Sequence, residues 1–299
     1  MQTNPKNVHR ISRVVLLTLT LLFCSTTLAY GARRSGFTSF DFPGAIETTG
    51  GGINAAGDIA GHYVSADGKL HGYLLRKGKF TSVDAPGTPD FTDVGWINSR
   101  GQIVGTYGFV NGKVLAFVLA NRTFTSIGYP GAQITTGYGI SDAGDVAGVE
   151  IGADPDGQPH GYVFSHGTFT RIDFPGTLKT YVTMISRRGH IVGNYSFSNV
   201  ENQGSGFLLN GGNFTSIDFP GATLTWITGI NPQGEILGFY LDADGNMHGF
   251  LLRKGNFESI DIPGALFTEA NGINPEGDIV GRYASSDGKV HGFLLSRVK

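Results

Sequence analysis

The sequence has very little cysteine and few charged residues. Its single cysteine, Cys24, lies close to the N-terminus, so a mature chain that begins after it can form no disulfide and has no thiolate chemistry. Charged residues are 15% of the chain and the formal net charge is -2. This balance fits neither the basic surface of a nucleic-acid-binding protein nor a disordered acidic tail. Stability must come from packing and backbone pairing.

Residues 1–31 are predicted to be a secretory signal peptide. A basic start is followed by an apolar run over 14–23 and by small residues around Ala29. The run is shorter than the roughly 20 residues of a membrane-spanning helix, which favours cleavage over a retained anchor. Lipidation at Cys24 is an alternative, disfavoured because Phe23 stands where a lipoprotein signal carries a small residue. We expect an extracellular or periplasmic protein.

Six copies of one repeat fill residues 32–299, which we predict to be a single domain. A Pro-Gly pair recurs with spacings of 43, 44, 45, 45 and 43 residues. The prolines of these pairs are Pro43, Pro86, Pro130, Pro175, Pro220 and Pro263.

Each copy reads as a four-stranded antiparallel meander. No window has a sustained helical period, and short runs of Ile, Val, Phe, Tyr and Thr alternate with turn residues every eight to twelve positions. In "INPEGDI", residues 273–279, Gly277 can take the positive φ that closes a hairpin. Asp-Gly pairs such as 287/288 mark a second hairpin, and "RKGNF" at 253–257 marks a third. Four strands in about 44 residues is the size of a β-propeller blade.

The repeat is split between the two ends of the sequence. Residues 37–42, "FTSFDF", form a fourth strand without a blade, and residues 265–299 form a blade without a fourth strand. An open stack would leave two unpaired edges, which favour aggregation. We therefore predict an all-β, six-bladed β-propeller that is closed by pairing of the N-terminal strand with the last blade.

The repeats "GINPEGDIVGRYASSDGKVHGFLL" and "GINAAGDIAGHYVSADGKLHGYLL" resemble the extracellular HAF-type repeat, named for His-Ala-Phe. The resemblance covers all six copies, although the second and fourth have Leu115 and Ser205 in place of the histidine. It implies a secreted bacterial protein with a propeller-like fold. It implies no activity and no catalytic residues.

Two patterns suggest metal binding but are better explained as structural. The repeated histidines His71, His160, His248 and His291 occupy one position in four copies. A ring of blades would hold them too far apart for one tetrahedral ion, so we predict that they hydrogen-bond neighbouring turns. "DADG" at 242–245 and "DPDG" at 154–157 lack the rest of a calcium loop and are predicted to be hairpin turns, with weak peripheral calcium binding left open.

The positions that differ between copies are the best candidates for a site, because what every copy shares is scaffold. The residue after the shared first-strand threonine is Thr49, Asp93, Thr136, Tyr181, Trp226 or Glu269. We predict that these residues ring one mouth of the central channel, where ligand sites with aromatic walls and few polar groups are common. The predicted ligand-binding residues are Asp93, Thr136, Tyr181, Trp226 and Glu269. Both tryptophans, Trp96 and Trp226, are expected near this mouth.

The interpretation of function is a non-catalytic module that binds a carbohydrate, peptide or protein. One alternative is a glycan hydrolase or lyase that uses Asp93 and Glu269, which would need the two carboxylates roughly 5 to 10 Å apart and one raised pKa. Another is an envelope scaffold without a small-molecule site. We predict no metal and no cofactor, no nucleic-acid partner, no membrane insertion after signal cleavage, and a monomer.

Overall fold

The computed structural model describes residues 36–87, 89–109, 111–200 and 203–297. The predicted signal peptide and Cys24 lie outside these ranges. Within them the chain forms 24 β-strands, and none of the described segments is a helix that could cross a membrane.

Strand β1 covers Gly36–Phe40, and the other strands follow as repeats. The first strands of the repeats are β2 (Glu47–Ile53), β6 (Phe91–Ile97), β10 (Ile134–Ile140), β14 (Lys179–Ile185), β18 (Leu224–Ile230) and β22 (Phe267–Ile273). The second strands are β3 (Ile59–Val64), β7 (Ile103–Gly108), β11 (Val146–Ile151), β15 (Ile191–Ser196), β19 (Ile236–Leu241) and β23 (Ile279–Ala284). The third strands are β4 (Leu70–Arg76), β8 (Val114–Ala120), β12 (His160–Ser165), β16 (Ser205–Asn210), β20 (Met247–Arg253) and β24 (Val290–Ser296). The fourth strands are β5 (Lys79–Val83), β9 (Thr123–Ile127), β13 (Thr168–Ile172), β17 (Asn213–Ile217) and β21 (Asn256–Ile260).

We call each group of four consecutive strands a unit, from unit 1 (β2 to β5) to unit 5 (β18 to β21). Unit 6 comprises β22 to β24 together with β1. Consecutive strands of a unit pair antiparallel, and the hairpins lie where the turn residues predicted them. In the first hairpin of unit 6 the Gly277 N–H donates to the Asn274 carbonyl at 3.0 Å, with Gly277 at a φ of 86°.

The predicted pairing of the chain's two ends is confirmed. Strand β1 lies antiparallel to β24, with Phe37 opposite Leu295 and Phe40 opposite Gly292. The link that follows β1 is also anchored, because the Phe42 ring stacks on Tyr63 of unit 1 with 3.7 Å between ring centroids. One short segment therefore joins unit 6 to unit 1.

The hairpins between first and second strands carry contacts from one unit to the next. Asn54 accepts the N–H groups of its own turn through Oδ1, and its Nδ2 donates to the Asn98 carbonyl of unit 2 at 3.4 Å. Asn274 of unit 6 donates in the same way to the Asn54 carbonyl of unit 1 at 3.4 Å. The asparagine of the repeated "IN" pair thus caps its own turn and hydrogen-bonds the next unit.

The first strands of all six units meet around a narrow cavity of about 60 Å³ at their C-terminal ends. Trp96 fills much of this region. It is only 5% exposed, and a side chain at Gly229 of unit 5 would come within 2.8 Å of its indole. The prediction that Trp96 lies near the same mouth as Trp226 is therefore wrong, because Trp96 stands at the opposite end of its strand and packs in the core.

Each unit is built around one aromatic ring of its third strand. This ring, the aromatic of "HGF", is 0% exposed in every unit. It covers a glycine of the second strand, and a β-carbon on that glycine would lie about 2 Å from a first-strand carbonyl oxygen. In unit 1 the residues are Tyr73 and Gly61, and the Tyr73 hydroxyl also donates to the Thr49 carbonyl at 3.0 Å. The repeated glycine is required by close packing.

We expect Gly61→Ala to lower the free energy of unfolding by about 3 kcal/mol, because its β-carbon would lie 2.1 Å from the Thr49 oxygen and the strand must shift. Gly68→Ala is the matched control in the same unit. Gly68 has open space around it and a φ of 81°, so alanine there should cost only about 1 kcal/mol of backbone strain. Urea unfolding of both variants measures the difference. Equal losses would contradict the packing explanation.

Candidate functional site

Two of the variable first-strand residues, Tyr181 and Trp226, contact each other between units, and Asp93 and Glu269 contact side chains of second strands. Each lies just before a β-bulge that recurs in all six first strands. A bulge re-aims the side chains next to it. The contacts fall into two groups, an aromatic group in units 4 and 5 and a charged group in units 6, 1 and 2.

Tyr181 of unit 4 and Trp226 of unit 5 form an aromatic pair, with ring centroids 5.2 Å apart and planes inclined by 53°. Phe239 of β19 lies parallel to the Trp226 indole at 6.4 Å. Both members of the pair are partly exposed, and burial raises the pKa of the Tyr181 phenol. The predicted adjacency of Tyr181 and Trp226 is thus present in the structure.

The aromatic pair lines a cavity of about 430 Å³ between units 4 and 5. Leu224 and Met247 add to its apolar wall. Its polar lining includes Lys179, Ser196, Ser198 and Gln203. An apolar wall with a few polar groups at the edge is typical of a small-molecule site.

The charged group joins the two predicted carboxylates. Nδ1 of His62 in unit 1 lies 2.7 Å from the Asp93 carboxylate of unit 2. The approach has the distance of a hydrogen bond but not its angle. Arg282 in unit 6 bonds the Glu269 carboxylate through Nε at 2.8 Å. The charges of Glu269 and Arg282 both act on the pKa of His62, so both pairs belong to one cluster.

The pKa values of His62 and Asp93 move apart. Burial is the largest single effect on the pKa of His62 and lowers it, but the charge and contact of Asp93 together with the charge of Glu269 outweigh it, so the net pKa is raised. Burial by itself raises the pKa of Asp93, but the charge and contact of His62 and the charge of Arg282 lower it. A general acid needs a raised pKa, so this environment does not suit Asp93 to that role.

We expect the pair of His62 and Asp93 to stabilise the fold most between about pH 4 and 6.5. The contribution of His62, whose folded pKa is raised, is complete below 6.5 and is lost as the pH rises through the raised value. The contribution of Asp93, whose folded pKa is lowered, is complete above 3.8 and is lost as the pH falls through the lowered value.

The size should be about 1 kcal/mol or less, because both side chains are partly exposed. Urea unfolding at pH 5.5 and 8.5 should show a larger loss of stability with pH in the natural chain than in His62→Gln. Identical pH profiles would mean that the pair contributes nothing.

Tyr138 of unit 3 connects the two groups. Its side chain is 38% exposed, yet burial is the main cause that raises the pKa of its phenol, with Asp93 and Tyr181 adding to the shift. Tyr138 is therefore close enough to Asp93 and Tyr181 for both to act on its pKa.

Thr136 is the remaining predicted residue, and its hydroxyl is already used. Its Oγ1 donates to the Val149 carbonyl and accepts from the Val149 N–H, each at 3.2 Å.

Sequence reasoning missed the second-strand partners of the variable residues. His62, Phe239 and Arg282 lie directly opposite Thr49, Trp226 and Glu269. The signal was available, because this position also varies between copies and follows the shared glycine of each second strand. At the same position Thr106 and Asn194 instead bond backbone of the next unit.

The repeated histidines make hydrogen bonds within their own units, as predicted. Nδ1 of each lies within 3.0 Å of an aspartate that follows the fourth strand of its own unit. Nε2 of His248 and of His291 contacts the turn before the third strand, at Asp242 (3.3 Å) and Ser285 (3.1 Å) respectively. The histidine therefore bonds the turn to the outer strand.

No protein-family model matches the chain, and no curated protein is significantly similar to it in sequence. Solved structures do match. AofleA from Arthrobotrys oligospora is 14% identical, with a TM-score of 0.57 over 87% of this chain and 86% of that one. A putative TolB from Agrobacterium tumefaciens is 16% identical, with a TM-score of 0.56 over 90% of this chain and 100% of that one.

A mutant of the Aleuria aurantia lectin, solved in complex with Fucα1-6GlcNAc, is 13% identical, with a TM-score of 0.52 over 86% of this chain and 93% of that one. At such low identity the likeness bears on the fold alone. The four-stranded antiparallel sheets and these neighbours together give the chain a β-propeller fold.

Proposed function

We propose that the protein is a secreted, non-catalytic β-propeller that binds a carbohydrate against Tyr181 and Trp226. The observation that carries the proposal is the partly exposed aromatic pair in the wall of a cavity of about 430 Å³ with polar side chains at its edge. The HAF-type resemblance and the predicted signal peptide over residues 1–31 support an extracellular or periplasmic location.

The chemistry of this cavity suits a sugar ring. The C–H face of a pyranose is apolar and packs on an indole or phenol ring, while its hydroxyl groups need donors and acceptors around the rim. Lys179 and Gln203 can donate to sugar hydroxyls. The hydroxyls of Ser196 and Ser198 donate within their own loop, and each oxygen can accept one further hydrogen bond. A peptide offers fewer hydroxyl groups for such a rim.

The structural neighbours support the proposal only in general terms. The Aleuria aurantia lectin mutant holds Fucα1-6GlcNAc, and the same lectin mutant has been solved with α-methyl-L-fucoside. These ligands belong to that protein. What carries over is that a fold of this kind can hold a sugar.

We further propose that the six units are six blades closed into a ring by β1. Its support is the pairing of β1 with β24 and the bond from Asn274 of unit 6 to Asn54 of unit 1. In this arrangement the variable residues ring the mouth of a central channel, and the chain acts as a monomer.

The enzyme alternative receives less support. Asp93 has a lowered pKa, and Glu269 is bound by Arg282 through Nε and at 2.6 Å through a terminal nitrogen. Two carboxylates that are each held by a cation are poor candidates for an acid and base pair. The remaining alternative, a scaffold without a small-molecule site, predicts that no glycan binds, and the following experiment tests this.

The test is a glycan array followed by titration of the hits with intrinsic fluorescence. Trp226 is the partly exposed tryptophan and Trp96 the buried one, so a ligand stacked at the proposed site should change the Trp226 signal. Tyr181→Ala should weaken binding of the same ligand. Phe124→Ala should not, because Phe124 lines a cavity between units 1 and 2 and is the one aromatic residue in its described lining. An array without hits, or a hit insensitive to Tyr181→Ala, would reject the proposal.

A further inference from the structure

Unit 3 departs from the other units at two paired positions. In the other five units a tyrosine of the second strand bonds a serine of the fourth strand with its hydroxyl. In unit 3 the tyrosine is replaced by Glu150 of β11 and the serine by Arg171 of β13. A neutral hydrogen bond has become a pair of charges in this unit.

Glu150 is buried and only partly satisfied. Its side chain is 0% exposed. Oε2 accepts the Ala153 N–H at 3.2 Å, but Oε1 has no hydrogen-bond partner among the described residues, and its nearest cation is Arg171 at 4.0 Å. Burial raises the pKa of this carboxyl. A buried oxygen without a donor is costly unless something else binds it.

Three possible metal ligands follow Glu150 in the chain, and Glu150 itself is not a member of their group. Asp154, Asp156 and His160 each offer one donor atom, and these atoms lie within 4.8 Å of one another. His160 is the residue directly opposite Glu150 on the neighbouring strand, so both side chains point to the same face of the sheet. The charges of His160 and Asp154 both act on the Glu150 carboxyl.

His160 is oriented as metal-binding histidines are. Its Nδ1 lies 3.0 Å from Asp173, and its Nε2 faces Asp156 at 3.2 Å. With the Nδ1 proton donated to Asp173, the lone pair of Nε2 points toward the cluster, which is the usual carboxylate, histidine and metal arrangement. The ring is held firmly, since its side chain is only 12% exposed.

Arg171 does not neutralise the cluster. Its guanidinium bonds Oδ2 of Asp154 and Oδ2 of Asp173. Oδ1 of Asp154 stays outside these bonds, whereas Oδ1 of Asp173 contacts His160. Three carboxyl groups, of Glu150, Asp154 and Asp173, lie within 4.0 Å of this one guanidinium, and Asp156 adds a fourth beside His160. The excess of negative charge favours a divalent cation.

We propose that Asp154, Asp156 and His160 form a binding site for a divalent transition-metal ion of the Zn²⁺ type, and that the buried carboxyl group of Glu150 supports it as a further negative charge. One imidazole nitrogen with carboxylate oxygens is a donor set that Zn²⁺ accepts readily, whereas Ca²⁺ takes oxygen donors alone. The site goes beyond the sequence interpretation, which assigned "DPDG" to a turn and predicted no metal. The turn itself is present, with the Gly157 N–H donating to the Asp154 carbonyl at 3.2 Å.

Unit 5 supplies a matched control. His248 has the same partners, with Nδ1 at 2.7 Å from Asp261 and Nε2 at 3.3 Å from Asp242. Its second strand keeps the tyrosine, Tyr240, which bonds Ser259. Asp242 is also saturated, because Asn246 donates to both of its oxygens. Unit 5 therefore has the histidine and the turn but lacks the buried carboxylate.

The test is calorimetric titration of ZnCl2 into the purified chain after removal of metal with EDTA. We expect one Zn²⁺ per chain, binding at least tenfold weaker in His160→Ala and in Glu150→Gln, and unchanged binding in His248→Ala. CaCl2 should bind more weakly than ZnCl2. Circular dichroism in EDTA checks that each variant is folded, and Asp156→Asn, at an exposed turn position, replaces Glu150→Gln if that variant does not fold.

Three results would overturn the proposal. The first is that Zn²⁺ does not bind. The second is that His248→Ala weakens Zn²⁺ binding as much as His160→Ala does. The third is that Zn²⁺ binding is unchanged in both His160→Ala and the carboxylate variant. Tighter binding of Ca²⁺ than of Zn²⁺ would also count against a site that uses the His160 nitrogen.

Discussion

Trp226→Ala is expected to weaken binding of the carbohydrate ligand by about a hundredfold, as loss of a central aromatic contact does at a binding hot spot. The free energy of unfolding should fall by about 1 kcal/mol or less, because Trp226 is partly exposed and borders a cavity instead of a filled core. Fluorescence is lost with the indole, so calorimetry should measure the affinity and urea unfolding the stability.

The other tryptophan provides the control. Trp96 is 5% exposed and packs against Gly52 and Gly229, so Trp96→Ala should cost about 3 to 5 kcal/mol of stability. Any protein that remains folded should bind the ligand normally. If instead Trp226→Ala destabilises the fold as strongly as Trp96→Ala, then Trp226 is a packing residue and the binding proposal loses its main support.

Deleting residues 36–43 is expected to lower the free energy of unfolding by at least about 3 kcal/mol. This is the stabilisation expected from two partly buried phenylalanine side chains. The deletion removes Phe40 and Phe42, which pack on Phe80 and Tyr63 of unit 1. It also leaves β24 as an exposed edge, so the truncated chain should aggregate on heating. Thermal unfolding monitored with light scattering measures both effects.

A variant in which the strand is moved to the C-terminal end of the chain shows whether the strand itself or its position in the sequence matters. Residues 36–44 are moved to follow Arg297 through a Lys-Gly turn like Lys77 and Gly78, which connect β4 and β5. If pairing with β24 is what matters, this variant should recover most of the lost stability. Wild-type stability in the deletion variant would refute the role of β1 as the closing strand.

The strands and turns could be predicted because their causes are local. Gly277 takes a positive φ where "NPEG" predicts a hairpin, and the Asn274 side chain caps the turn that contains it. The pairing of β1 with β24 was predictable for a different reason. Each end of the chain carries the part of the repeat that the other lacks, so one arrangement satisfies both edges.

The site was only half predictable. The adjacency of Tyr181 and Trp226 follows from neighbouring repeats that vary at the same position. Variation between copies marks the position of His62, but no residue pattern indicates that His62 meets Asp93 of the next unit. That contact depends on the angle at which one sheet packs on another, which no residue pattern specifies.

Unit 3 illustrates the same limit. The replacements of tyrosine by Glu150 and of serine by Arg171 are visible in the aligned repeats, yet they lie 21 residues apart in the sequence. Only the fold brings them to one face, 4.0 Å apart. The unpartnered oxygen of Glu150 cannot be read from either position alone.

The sequence by itself determined the repeat, its four strands, its turns and the meeting of the two ends, because hydrogen bonding and turn stereochemistry act over a few residues and then recur. The tertiary structure alone decided that Trp96 fills the narrow end of the molecule while Trp226 lines a cavity, and that four charged residues of units 6, 1 and 2 form one cluster. Those outcomes depend on contacts between units that are separated by one repeat or by most of the chain, where side-chain volume and charge are balanced across sheets and not along a strand.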